Sequence, residues 1–307
     1  MSAEVAAVVV AYRSGELIEG CLRGLLQDPL VCCVVVDNGR ERATEQVVER
    51  LGAEFGDRVA YLDPGANLGY ARACNRGVAH HPAAVPYVAI VNPDARLTVP
   101  LSRALDEAPL PDRWTVAGGH LGTPGGRPGA SNARPLVTLA RELTKAVRGS
   151  RGYRLAPPLA DGEVRRVGQL DGALLVLRRE DWDLLGGFDE RFELYYEDVD
   201  LCARAGLRDG CWAVGEDWGH HAGGASFSRS GGRAFVALRV SRLRYLRKWF
   251  GPAGGVVALL CSALELVTRP LGGCPESGAV RRQALTSTAR EFLAPGTVGV
   301  LEGGIRS

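Results

Sequence analysis

Four short stretches of this chain carry side chains able to hold a diphosphate or to move a proton. Asp37 closes the run Val34-Val35-Val36 and is followed by Asn38 and Gly39. A carboxylate at a strand end can accept a hydrogen bond from a base or a ribose, and Asp-Asn-Gly is equally a strong turn signal. Asn92-Pro93-Asp94 follows the run Val88-Ala89-Ile90-Val91. A departing diphosphate needs its charge neutralised, and hard divalent cations take carboxylate and phosphate oxygens together. Asp94 could bridge such an ion to two phosphates; a Pro-containing turn is the alternative.

The segment from Gly186 to Arg204 differs in kind. It holds six carboxylates (Asp189, Glu190, Glu193, Glu197, Asp198 and Asp200) interleaved with Phe188, Phe192, Tyr195 and Tyr196. A merely solvated acidic face would not need so many aromatic rings. Glu197 and Asp198 fall where the next helix should begin. Negative charge there stabilises the helix N-terminus, or one carboxylate takes a proton from an acceptor hydroxyl. Asp200 and Arg204 stand four apart and read as a structural helix pair. His220-His221 precede a Gly pair, and neutral imidazole is a good metal ligand; two neighbouring histidines on a surface loop are the alternative.

These residues need elements to position them. Val5–Ala11 and Val31–Val36 are continuous apolar runs rich in β-branched residues, the pattern of strands buried on both faces. Val59–Leu62 and Val88–Val91 read as two more strands. Helical spacing predicts helices over Gly15–Leu26, Thr44–Leu51 and Asn67–Ala79. This strand–helix alternation implies an α/β fold, a doubly wound sheet flanked by helices. Ligands on such sheets sit beyond the carboxyl ends of the strands. That places Tyr12 and Arg13, Asp37 and Asn38, and Asn92 to Asp94 around one crevice. Further along, Gly118–Gly129 reads as a Gly/Pro-rich surface loop and Arg141–Arg154 as a basic, loosely helical stretch. Val164–Arg178 has strand character around Asp171-Gly172-Ala173. Helices are expected over Glu180–Leu185 and Asp198–Ala205, and a short strand over Cys211–Val214. Residues 1–232 are expected to form the α/β domain that holds this crevice and 233–307 a basic, apolar helical C-terminal extension.

The whole chain has 307 residues, 46% hydrophobic and 23% charged, with a net charge of +2. That suits one large domain with an appendage and gives no global argument for nucleic-acid binding. The eight cysteines show no C-x-x-C spacing, and several lie in apolar runs, as expected for buried thiols in a reducing compartment. The N-terminus lacks a basic region followed by an apolar one, so a cytoplasmic location is expected. Phe235–Phe250 reads as an amphipathic basic helix carrying Arg239, Arg242, Arg244, Arg247 and Lys248. With the apolar stretch Gly254–Val267, too short to span a bilayer, it suggests peripheral contact with an anionic inner membrane face. An ordinary packed helix with a solvated basic stripe is the alternative.

Taken together, the order of strand-end Asp, Asn-Pro-Asp, aromatic–acidic segment and His-x-Gly-Gly-x-Ser resembles the family 2 glycosyltransferases of GT-A fold, in a bacterial rhamnosyltransferase-like branch. The resemblance runs from Val8 to about Phe250. It is carried by Val34–Asn38, Asn67–Asn75, Asn92–Asp94, Asp171–Ala173, Gly186–Arg204 and His221–Ser226. It implies an inverting, metal-dependent enzyme using Mg²⁺ or Mn²⁺ and a dTDP- or UDP-sugar, with a hydroxyl acceptor in a natural product or in a cell-envelope glycan, lipid-linked or free. By the same resemblance Tyr12, Asp37, Asn67, Arg72, Asn92 and Asp94 would bind the donor. Asp94 and His221, with His220 as fallback, would hold the metal. Asp198 would be the general base with Glu197 beside it, and Asp171, Gly172 and Tyr196 would line the acceptor side. Two departures stand out: Asn92 replaces the first carboxylate of a full D-x-D, and Asp171 stands where Ser or Thr is common. Rival readings are a sugar nucleotidyltransferase, for which Tyr12-Arg13-Ser14-Gly15 is too short a loop, and a non-catalytic sugar-nucleotide-binding protein. A Rossmann dehydrogenase would need a G-x-G-x-x-G after the first strand, which is missing.

Overall fold

The computed structural model describes residues 4–122, 133–148, 159–222, 225–268 and 278–296, the side chains of 225–231 and 266–268 excepted. The strands are β1 (Val5–Ala11), β2 (Val31–Asp37), β3 (Val59–Leu62), β4 (Tyr87–Val91), β5 (Ala95–Leu97), β6 (Val116–Gly122), β7 (Ala133–Arg134), β8 (Val164–Val167), β9 (Gln169–Leu170), β10 (Leu174–Arg178) and β11 (Cys211–His221). The helices are α1 (Ile18–Leu26), α2 (Arg42–Phe55), α3 (Tyr70–His80), α4 (Leu101–Glu107), α5 (Leu139–Arg148), α6 (Arg179–Leu185), α7 (Glu197–Gly206), α8 (Ala225–Thr268) and α9 (Gly278–Leu293). The main sheet runs β3-β2-β1-β4-β10-β6-β11-β5, and β8 pairs with β11. β3, β2, β1 and β4 are mutually parallel, while β10 runs antiparallel to β4 and β6. The sheet is therefore mixed and doubly wound, as expected.

Its two faces carry separate cores. Val5, Ala7 and Val9 of β1 pack with α1, α2 and α4 residues such as Leu22, Leu51 and Leu101. Val8 and Val10 point the other way, onto Ala71, Cys74 and Val78 of α3. Side-chain alternation along one buried strand feeds both layers. Helix α3 lies close to the sheet because Gly77 faces it: a Cβ there would meet Val8 Cγ1 at 2.4 Å.

Some elements depart from the expected ones. Residues 118–122 of the expected Gly-rich surface loop belong to β6, which pairs on both sides with β10 and β11. Gly119 is small there for a packing reason: the indole of the fully buried Trp218 occupies the space a Cβ would fill. The rest of that stretch lies outside the described residues. The expected helix at Asn67 begins at Tyr70 instead, because Gly69 has φ 81° and its N–H is taken by Asn67 Oδ1 at 3.0 Å. The strand at Cys211 continues to His221, so the histidine pair lies on a strand, not on a loop.

The two expected C-terminal helical segments run on as α8, which starts before residue 232 and contains Pro252. Gly251 sits at its centre with φ 62°, a left-handed conformation that turns the chain back on itself. Only such a reversal lets Arg239 and Arg242 meet Glu265, at 3.2 and 2.8 Å. The basic stripe expected to face water or membrane is thus internal. Arg239 and Arg242 are 3% and 4% exposed, Arg244 pairs with Glu291 at 2.9 Å, and Lys248 bridges Asp200 and Asp189 at 2.7 and 2.8 Å. Four of the five cations of this stretch thus have carboxylate partners, while Arg247 donates to Phe292 O at 2.7 Å. Among the described residues, no helix is long and apolar enough to cross a membrane.

Because Gly77 sets how closely α3 approaches the sheet, Gly77→Ala should destabilise the fold by about 1–3 kcal/mol through overpacking. The check is a lower urea midpoint at unchanged m-value.

Candidate active site

The parallel register aligns the ends of β1, β2 and β4, with Ala11 opposite Asp37 and Val9 opposite Val91. Tyr12, Asp37 and Asn92 therefore emerge along one edge of the sheet. Asp37 is 0% exposed. Its Oδ1 accepts the Gly39 N–H at 2.9 Å, and its Oδ2 accepts the Glu41 N–H at 2.8 Å and the Tyr61 hydroxyl at 3.0 Å. Asp37 thus shapes the loop at the crevice rim through these three hydrogen bonds. Its neighbour Asn38 does similar work. The Asn38 amide donates to Gly69 O at 3.0 Å and accepts from Leu68 N–H at 3.2 Å, tying β2 to the turn that starts α3.

Asn67 is engaged in that turn, and Arg72 is exposed on α3, 3.6 Å from Glu190. Neither lines the central pocket. Tyr70, which the sequence reading did not single out, reaches inward from the same helix. Its hydroxyl donates to Asn92 Oδ1 at 2.9 Å.

β11 brings the imidazole to Asp94. His221 pairs in register with Ala95 and His220 with Arg96. Strand alternation sends the two rings to opposite faces: His220 is exposed, whereas His221 Nε2 lies 3.0 Å from Asp94 Oδ1 and 3.5 Å from Asn92 Nδ2. Of the two histidines, His221 is the one turned to the site. Adjacent ligands of an octahedral ion with bonds of ~2.1 Å are themselves about 3.0 Å apart, so Asp94 and His221 fit two neighbouring positions of a divalent cation. No group of three ligating side chains occurs among the described residues. The remaining positions would fall to phosphate and water, the usual arrangement for Mg²⁺.

Beside them lies a pocket of about 460 Å³ whose lining includes His221, Asn92, Tyr70, Asp171, Tyr196, Glu197 and Asp198. Glu197 and Asp198 reach it through a strained turn: Tyr195 and Tyr196 have φ 67° and 66°, an uncommon conformation for bulky residues. Asp198 Oδ1 accepts the Val199 N–H at 2.8 Å and Oδ2 the Gly172 N–H at 3.1 Å. Gly172 is needed for that approach, since a Cβ would lie 3.1 Å from Asp198 Oδ2. Burial, and then the Asp171 charge, push Asp198 up to about 6, against the pull of the two N–H groups and Arg134. Burial and the Asp198 charge raise Glu197 well above the ordinary carboxylate range.

The charge expected from Asp171 is matched by Arg134 of β7, whose guanidinium grips both carboxylate oxygens, with Nη2 at 2.6 Å from Oδ2. Arg134, Glu142, Lys145 and Gln169 also line the pocket. Nothing in the sequence marked them, since Arg134 lies in a short irregular stretch and the other three are single polar residues without a motif. The opposite wall is apolar, from Val137, Leu194, Val199 and Leu238. α8 thus contributes directly to the pocket. Asp200 lies outside it as expected, fully buried and held by Arg204 at 2.8 Å and by Trp249 Nε1 at 2.9 Å.

Comparison with known proteins identifies the family and the fold. Residues 6–106 match the description of Glycosyl transferase family 2. Over 225 residues the chain is 34% identical to the N-acetylglucosaminyl-diphospho-decaprenol L-rhamnosyltransferase of Mycobacterium tuberculosis, covering 65% of this chain and 69% of that one. It is also 23% identical over 204 residues to the low-salt glycan biosynthesis hexosyltransferase Agl10 of Haloferax volcanii, covering 66% of this chain and 61% of the other. Among solved structures it resembles the mannosyltransferase PcManGT from Pyrobaculum calidifontis in complex with GDP-Man and Mn²⁺. That likeness has a TM-score of 0.54 at 16% identity and covers 96% of this chain and 82% of the other. GalNAc-T7 with UDP, GalNAc and Mn²⁺ gives a TM-score of 0.54 at 14% identity, over 71% and 43% of the two chains. The fold is therefore of GT-A type, and the chain belongs to glycosyltransferase family 2, as an enzyme similar to a rhamnosyltransferase.

Proposed function

We propose that this glycosyltransferase moves a sugar, rhamnose by its likeness to the mycobacterial enzyme, from a nucleotide diphosphate to a hydroxyl of a lipid-linked glycan, with inversion. The observation that carries this reading is the shared pocket: Asp198 and His221, distant in sequence, line one cavity, and Asp94 stands 3.0 Å from His221. The relative's name specifies an N-acetylglucosaminyl-diphospho-decaprenol acceptor, and a dTDP-sugar is the matching donor class.

In the proposed reaction, Asp198 takes the proton of the acceptor hydroxyl as its oxygen attacks the anomeric carbon. The bond from that carbon to the diphosphate breaks on the opposite face, so a single displacement inverts the centre. The N–H groups of Gly172 and Val199 hold the Asp198 carboxylate in place, and the Arg134–Asp171 pair braces the turn between β9 and β10 that supplies one of them. A divalent cation held by Asp94 and His221 would neutralise charge developing on the leaving diphosphate. Any membrane contact falls to α5 in this reading. Leu143 and Val147 are 42% and 72% exposed, and Arg141 and Arg148 flank them, while Glu142 and Lys145 of the same helix line the pocket.

Asp198→Asn should lower kcat by about 10²–10⁴ while a dTDP-sugar still raises the melting temperature as in wild type; full turnover in this variant would identify another base. Because the base acts ionised and its pKa is raised to about 6, kcat/KM should rise with pH through that value and level off above it. A profile flat down to pH 5 would contradict the assignment. EDTA should abolish transfer, and His221→Ala should weaken Mn²⁺ binding by calorimetry; undiminished turnover in thoroughly chelated enzyme refutes the metal. Replacing Leu143 and Val147 together by Ser should reduce co-sedimentation with anionic vesicles, and absence of wild-type binding at low salt would end the membrane reading.

A further inference from the structure

Glu197 differs from its neighbour in one respect that the proton-transfer scheme leaves unused. It is 6% exposed, it lines the pocket, and its Oε2 is buried without a hydrogen-bond partner. Its own backbone N–H supports an anion there, but the side chains acting on it are anionic or neutral: Asp198 follows it on α7, Tyr70 and Cys74 face it from α3, and Tyr195 stands on the turn before it. Asp198, by contrast, has two backbone N–H groups and the Arg134 charge to support an anion. Two carboxyl groups in one buried site cannot both ionise near neutral pH. The donors decide which one keeps the charge.

We infer that Glu197 is a neutral carboxylic acid in the working enzyme and donates a hydrogen bond to an oxygen of the acceptor sugar beside the attacking hydroxyl. A protonated carboxyl has one O–H to give, and a buried donor without a partner is expensive to leave unmatched. An acceptor offering a hydroxyl or carbonyl oxygen at that place would satisfy it. A ligand lacking such an oxygen would leave the O–H buried and unmatched, which is how a polar pocket selects among sugars. The proton on Glu197 also spares Asp198 a second adjacent negative charge. Glu197 is thus an acceptor-positioning residue whose protonation keeps the neighbouring base ionisable. The acceptor part of this inference rests on the function proposed above; the protonation part does not.

The test has two arms. In the first, infrared difference spectra of wild type against Glu197→Gln at pH 7.5, without substrate, should show the carbonyl stretch of a protonated carboxylic acid that the variant lacks. Its absence overturns the inference whatever the substrate. In the second, transfer from dTDP-rhamnose to N-acetylglucosaminyl-diphospho-decaprenol is compared across variants. Glu197→Ala should lose at least tenfold in kcat/KM for the acceptor. Glu197→Gln, which keeps an N–H donor, should recover most of that loss and should abolish any decline of kcat/KM on the alkaline side. Because Oε2 has no partner within the protein, Glu197→Ala should keep its melting temperature. A lowered melting temperature with equal loss in both variants would show a structural role and overturn the inference. Wild type that shows the carboxylic-acid band but transfers nothing to this acceptor would count against the proposed substrate and leave the protonated Glu197 standing.

Discussion

Like charges held side by side out of water repel strongly, and much of this structure follows from where that repulsion is concentrated. Glu197 and Asp198 are consecutive, both face one pocket, and both are raised above the ordinary carboxylate range. A site built this way separates its two acids by environment, leaving one with a proton and the other with a charge. The separation is achieved by backbone placement. Asp198 receives the Gly172 and Val199 N–H groups just after the left-handed Tyr195-Tyr196 turn, and a Cβ at Gly172 would crowd its carboxylate at 3.1 Å. The strain of two tyrosines at positive φ is offset by the packing of Tyr196 against Tyr245, ring centroids 5.5 Å apart.

The other half of the site depends on strand pairing. Asp94 and His221 come together because β5 and β11 pair antiparallel with His221 opposite Ala95. A slip of one residue would present His220 in its place. The register is pinned a few residues earlier, where the Trp218 indole occupies the space over Gly119. The Gly-rich composition of β6 thus serves the position of a histidine on the neighbouring strand.

The amino-acid sequence discloses the nucleotide half of the fold well. β1, β2, β3 and β4 are uninterrupted apolar runs, and their burial on both faces leaves no competing pattern. It points to Asp94, Asp198 and His221 through short words, and the fold sets Asp198 and His221 on one pocket with Asp94 beside His221. It does not disclose β6, because glycines chosen to admit an indole look the same as glycines chosen for a loop. Nor does it reveal Arg134, which acts through an ion pair with Asp171 formed only once β7 and β9 are paired. The arginines of α8 mislead for a related reason. Helical periodicity shows that they share faces, but the carboxylates that neutralise them lie beyond the reversal at Gly251 or on other elements. At Asp37 the turn signal is legible directly, since its oxygens accept the Gly39 and Glu41 N–H groups.

Because α8 doubles back at Gly251, its two limbs share a single set of charges with α5 and α7. Arg242 faces Glu142 of α5 at 3.5 Å as well as Glu265, and Lys248 reaches Asp200 of α7. Leu243, Tyr245, Leu246 and Ala258 join Val137, Phe192, Tyr196 and Val199 in one apolar cluster. The C-terminal arm is therefore not a module that could be exchanged between related enzymes. A chimera joining this sheet to another arm would strand buried anions on one parent and buried cations on the other.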